Sequence, residues 1–168
     1  MHRPLLFLAL LLSCGPSVDD LRAECPALTA AGRLPASAAE AAAQRAAGAV
    51  WTNREIRAQY VCAAAGIGAL DALAASQGRT WEQRAHLAFE ARHQARMTAR
   101  AMMADPAEVA ALEARDLEKY GNPHGPTFAW LEGRARDKGL QGDAIYQSIV
   151  EGAQRTDEAT NRLFGLGG

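Results

Sequence analysis

Three features of the sequence predict an all-α fold, an irregular bundle of five or six helices behind a lipidated tether. Alanine dominates a composition that is 49% hydrophobic, and alanine is the strongest intrinsic helix former. Capping signals recur ahead of helix-forming runs, at Ser37-Ala-Ala-Glu40, Thr52-Asn-Arg-Glu55, Thr80-Trp-Glu-Gln83 and Asp105-Pro-Ala-Glu108. No segment sustains the alternation of apolar and polar residues that marks a half-buried strand. With 168 residues and a formal net charge of -1, the chain has the length of one domain and no general attraction to nucleic acid. Alanine buries little area, so a modest core must come from scattered Leu, Ile, Phe, Met and Trp residues.

Residues 1–13 read as an export signal. His2 and Arg3 make a short basic start, Leu5 to Leu12 an apolar run too short to span a bilayer, and Ser13-Cys14 a small-residue boundary. Leu11-Leu12-Ser13-Cys14 resembles the lipobox of bacterial lipoproteins, in which cleavage precedes the cysteine and its sulfur receives a diacylglycerol. The alternative is an ordinary secretory signal with an incidental cysteine. Lipidation at Cys14 implies a membrane partner through the lipid anchor, since two or three acyl chains hold durably where one does not. By the usual sorting rule Gly15, in place of an aspartate, favours the outer membrane. Export also implies an oxidising compartment, where Cys25 and Cys62 can form a disulfide. Cys62 in Tyr-Val-Cys-Ala equally suits a small buried hydrophobe.

Residues 14–50 read as lipidated tether and alanine-rich segment. Pro16, Pro26, Gly32 and Pro35 punctuate a stretch of little period up to residue 36, and Ser37 then caps a weakly packed helix or stalk ending near Gly48. The helical domain is placed at 51–168. Thr52 caps a helix with the stripe Ile56, Tyr60, Ile67, Leu70 and Leu73, stopped at Gly78. Its patch Ala63-Ala-Ala-Gly-Ile-Gly68 lacks the preceding strand and later glycine of a nucleotide loop, and reads as a close approach to a neighbouring helix. Further helices are expected from Thr80 to about Ala104, from Asp105 to Tyr120, from Thr127 to about Lys138, from about Asp143 to Ala153, and over Thr156 to Phe164.

Two stretches carry the candidate chemistry. Arg92, Arg96 and Arg100 recur every four residues and share a helix face, with His86, Glu90 and His93 pointing together nearby. Glu90-x-x-His93 has a di-iron spacing, but the second such pair is missing, and no metal or cofactor is expected. The arginines suit a phosphate clamp, ion pairs with the next helix, or a solvated face. The second stretch is Arg115-Asp-Leu-Glu-Lys-Tyr-Gly-Asn-Pro-His-Gly-Pro-Thr-Phe128. There Gly121 fits a left-handed helix end, Pro123 blocks continuation, Gly125-Pro126 turns the chain and Thr127 caps the next helix. His124 reads as an exposed loop histidine without a visible partner.

That stretch, with Lys138-Gly-Leu140 and Ile149-Val-Glu-Gly-Ala-Gln-Arg-Thr156, resembles the C-terminal modules of bacterial polymorphic toxins, including Rhs-type proteins, over roughly residues 53–166. There an arginine-rich helix precedes a Lys-Tyr-Gly segment, a Gly-Pro turn and a final helix ending near an arginine. A short lipoprotein signal ahead of such a module is similar to the swarm-inhibition toxins of myxobacteria, the SitA type, which pass between kin by outer-membrane exchange. The resemblance implies a cognate immunity protein as partner, a nuclease-type effector with a nucleic-acid substrate, and Arg115, Asp116, Tyr120 and Arg155 as a shared functional set. Related modules often carry Asp or another polar residue at the position of His124, which argues against a general catalytic role there. With His93 and Arg96 from the arginine helix, the candidate catalytic residues are His93, Arg96, Arg115, Asp116, Tyr120 and Arg155. The rival expectation is a non-enzymatic envelope lipoprotein that binds a protein partner.

Overall fold

Helix-forming sequence interrupted by short glycine and proline turns gives seven helices in the computed structural model, which describes residues 17–155. They are α1 (Val18–Ala30), α2 (Ala38–Ala46), α3 (Asn53–Ser76), α4 (Trp81–Met102), α5 (Pro106–Tyr120), α6 (Phe128–Asp137) and α7 (Asp143–Gln154). The described residues contain no strand. Cys14, the leader and the helix expected over Thr156–Phe164 lie outside them.

The stretch read as a tether is largely folded. Ser17 and Asp20 form a reciprocal capping box for α1, with aspartate in the place where glutamate is usual. Val18, Leu21, Cys25 and Leu28 then recur at helical spacing, and Leu21 is fully buried among Ala58 and Val61 of α3. Pro26 sits inside α1 on its exposed side, so the hydrogen bond it forgoes is lost toward solvent. Cys25 is bridged to Cys62 of α3, with the sulfurs 2.02 Å apart. Nor is α2 a stalk, because Ala41 is fully buried in a cluster with Trp51, Tyr60 and Met102, and Arg45 donates to the carbonyl of Met103.

α4 is the spine. One apolar cluster gathers Ala95, Ala99 and Met102 with Ile56, Tyr60 and Leu112; another gathers Ala85 and Ala88 with Ile67, Ala135, Ile145 and Ile149. By length and composition α3 could cross a membrane, but here its inner face packs on α1, α4 and α7. The close helix approach expected of the small-residue patch is made by Ala63, Ala64 and Ile67, which turn inward, and not by its glycines. Gly66 and Gly68 are exposed, with no atom within 4 Å of where a Cβ would stand, and Tyr60 and Ile67 face α4 instead. Leu73, expected on the apolar stripe, is 57% exposed.

Two predictions follow from the fastenings of α1 and α3. The Cys25–Cys62 bridge spans 37 residues of sequence, a loop whose closure constrains the unfolded chain by about 3–4 kcal/mol. Replacing both cysteines with serine should lower the melting temperature of the oxidised protein by roughly 10 °C, and reductant should add nothing further in that variant. Glu55 accepts from Thr52 and from Arg33 Nε at 2.6 Å, and the Arg33 guanidinium foremost pulls its pKa from 4.5 to about 2. Because the folded value lies below the unfolded one, the associated stability is present above pH 4.5 and lost as pH falls toward 2. Solvent beside the half-exposed Arg33 reduces it to on the order of 1 kcal/mol. Acid titrations of Glu55→Gln, which keeps the capping geometry, should show that much less pH dependence between pH 4.5 and 2.

Candidate functional site

The four-residue spacing of Arg92, Arg96 and Arg100 places all three on one side of α4, but each meets a different environment. Arg100 is 4% exposed. It is ion-paired with Asp116 of α5, and its Nη1 donates to the carbonyl of Pro123 at 2.8 Å. One guanidinium thus ties α4 to α5 and to the connection between α5 and α6. Asn122 caps that turn by accepting from the His124 N–H. Arg96, one turn back, lies under the same connection. A Cβ at Gly125 would stand 2.8 Å from Arg96 Nη1 and 2.9 Å from Cζ. Gly125 has φ of 98° as well, so both backbone conformation and space require glycine there. Arg92, two turns back from Arg100, stacks on the Tyr60 ring at 3.7 Å and donates to the Arg155 carbonyl at 2.8 Å.

These contacts shape a cleft of about 540 Å³. Its walls are Tyr60 of α3; Phe89, Arg92, His93 and Arg96 of α4; Tyr120 and Pro126 around the turn; Trp130, Leu131 and Arg134 of α6, with Lys138 at its C-cap; and Ser148, Ile149 and Glu151 of α7, with Arg155 at the end. Among the described residues, five that line it are cationic and only Glu151 is anionic. A cleft lined by one sign of charge focuses its field on an incoming anion, so the chain's net charge of -1 conceals a strongly positive recess. Trp130 and Arg134 of α6, and Lys138 at its C-cap, follow one another at four-residue spacing and line the cleft together with Arg92 and Arg96 of α4.

Four of the expected catalytic residues, His93, Arg96, Tyr120 and Arg155, come together in this lining. Arg115 and Asp116 do not. Asp116 is buried as the counter-ion of Arg100; Arg115 is half-buried outside the cleft, with Nη2 enclosed and without a hydrogen-bond partner. His86 is taken up by packing, its ring stacked on Phe128 at 3.7 Å. Among the described residues no three His, Cys, Asp or Glu side chains gather as a metal-ligand group. Trp130, Arg134 and Lys138 were not foreseen from sequence, although their spacing could have marked them as one face.

His93 is half-buried, and its Nδ1 is enclosed without a hydrogen-bond partner. Burial first, and then the positive charge of Arg96, hold its pKa below the usual 6.5. It is therefore neutral and able to accept a proton near pH 7. Burial raises the pKa of Tyr60 despite the opposing charges of Arg92 and Arg96, leaving the phenol protonated. Phosphates, carboxylates and other anions fit this lining; the histidine adds a base beside them. No protein-family model, curated protein or solved structure matches the chain.

The two arginines should separate in their effects. Asp116→Ala strands Arg100 as a buried charge and should cost about 3–5 kcal/mol in chemical denaturation. Arg96→Gln should cost on the order of 1 kcal/mol while weakening anion binding in the cleft by at least about tenfold, measured at matched salt.

Proposed function

We propose that this chain is a lipid-anchored toxin of the outer membrane, delivered between kin cells, whose helical domain acts as a nuclease-type effector and is neutralised by a cognate immunity protein. The observation that carries the effector reading is the cleft with five cations and one carboxylate, with a neutral histidine in its lining. Such a site can hold a phosphodiester, stabilise the extra negative charge of its transition state and remove a proton from the attacking oxygen. In this reading Arg96, Arg134, Lys138 and Arg155 supply the positive field and His93 is the base, while Tyr120 shapes the wall.

Delivery rests on the leader and the lipobox-like Leu11-Leu12-Ser13-Cys14. Since α1 begins at Val18, only Gly15, Pro16 and Ser17 separate it from the anchor at Cys14, a reach of roughly 10 Å. The anchored domain is accordingly held against the bilayer before transfer. A second reading, a non-enzymatic envelope lipoprotein, draws on α3, whose outer face exposes Ala65, Gly66, Gly68, Ala69, Ala72 and Leu73 to solvent. A protein partner could lie closely on that face.

Producing the mature domain in a host cytoplasm that permits disulfides should arrest growth, and co-production of its cognate immunity protein should relieve the arrest. Unimpaired growth in both conditions removes the toxin reading. In the test tube, nucleic-acid cleavage by the purified domain should fall by at least about a hundredfold in His93→Gln. Because the pKa of His93 is depressed, the acidic limb of the pH–rate profile should have its midpoint below 6.5. A midpoint above 6.5 would exclude His93 as that base.

A further inference from the structure

Charge accounts for only part of the cleft. Phe89, Tyr120 and Trp130 contribute aromatic rings to the lining between its cationic walls. Tyr120 and Trp130 meet edge to face with centroids 4.8 Å apart, both are half-buried, and Lys119 Nζ lies over the Tyr120 ring, 5.1 Å from its centroid. The Arg134 guanidinium lies over the Trp130 ring, 5.7 Å from its centroid, and Lys138 follows four residues on, at the C-cap of α6. Cations alone would suit any polyanion. Cations interleaved with aromatic rings suit a ligand that is itself an alternation of phosphates and flat bases.

Size then decides between duplex and single strand. A recess of about 540 Å³ holds roughly one or two nucleotides. A paired base lies inside its stack, with its faces unavailable to Trp130, and extruding it costs unstacking and unpairing energy. An unpaired base incurs no such cost. We propose that the cleft is a site for single-stranded nucleic acid, seating a base against Trp130 and Tyr120 with its flanking phosphates on Arg96, Arg134 and Lys138. This rests on the nuclease reading of the cleft and narrows it to the strand state of the substrate.

The test is fluorescence anisotropy of the intact mature chain with labelled oligonucleotides of one sequence, as single-stranded RNA, single-stranded DNA and blunt duplex, beside inorganic polyphosphate as a probe of charge alone. Either single strand should bind at least about tenfold more tightly than the duplex, and whichever of RNA or DNA binds better identifies the sugar preferred. Trp130→Ala should weaken single-strand binding by about tenfold or more and leave polyphosphate binding unchanged, while Trp130→Phe, which keeps a ring, should restore most of the affinity. The double variant Arg134→Gln/Lys138→Gln should weaken both ligands and flatten the salt dependence. Equal or tighter binding of duplex overturns the single-strand assignment while leaving a nuclease intact, as does a folded Trp130→Ala chain of undiminished affinity. Failure to bind any oligonucleotide, in a chain that still arrests growth, overturns the assignment and the nucleic-acid target together.

Discussion

The cleft side of this protein hangs on one buried cation. Arg100 has given up nearly all its contact with water, and a lone guanidinium in that position would be strongly destabilising. The Asp116 carboxylate and the Pro123 carbonyl offset the cost, and in doing so fix three pieces of chain at once: the end of α4, the middle of α5 and the turn beyond it. Gly121 ends α5 in the left-handed conformation, so the turn follows immediately and has little slack. Its Gly125 backbone then settles on the Arg96 guanidinium. Arg96 is aimed into the cleft because Arg100 holds the turn above it.

The same spacing leaves Arg92 where two apolar clusters stop short of each other. Ala88 belongs to the cluster shared with α6 and α7, Ala95 to the cluster shared with α2, α3 and α5. Between them α4 presents a cation stacked on Tyr60. A leucine there would help to join the clusters into one core and fill the recess. The molecule keeps a polar seam instead, at some cost in buried apolar area, and that seam is the floor of the cleft. Alanine makes the arrangement workable by letting neighbouring helices approach the spine closely. It also leaves the core thin, which gives the Cys25–Cys62 bridge more to do than in a leucine-rich bundle of the same length.

Helices with strong local signals were legible in the sequence. Thr52, Thr80, Asp105 and Thr127 all cap where expected, because capping is decided by a few neighbouring residues. α1 was not, since Pro26 reads locally as a break and only packing against α3 shows that its lost hydrogen bond falls on the wet side. The glycines of α3 misled in the opposite sense: small residues permit close approach without causing it, and here Gly66 and Gly68 face outward. At the site, the arginine helix and the turn were visible as separate features, but the choice between clamp and cleft was not. Arg96 and Arg100 are alike in type and helix face, and what separates them is a carboxylate sixteen residues away from Arg100.

The cleft's charge is likewise a product of folding. Its cations come from positions 92, 96, 134, 138 and 155, too dispersed to form a basic run, in a chain whose total charge is slightly negative. A basic tail or a uniformly positive surface attracts polyanions indiscriminately and loses them to salt. A positive recess in a near-neutral body behaves differently. Long-range attraction is weak, so capture depends on the short-range contacts a ligand makes once inside. The thin core and the buried clamp serve the same end, since a recess of this kind discriminates only while its two walls stay at a fixed separation.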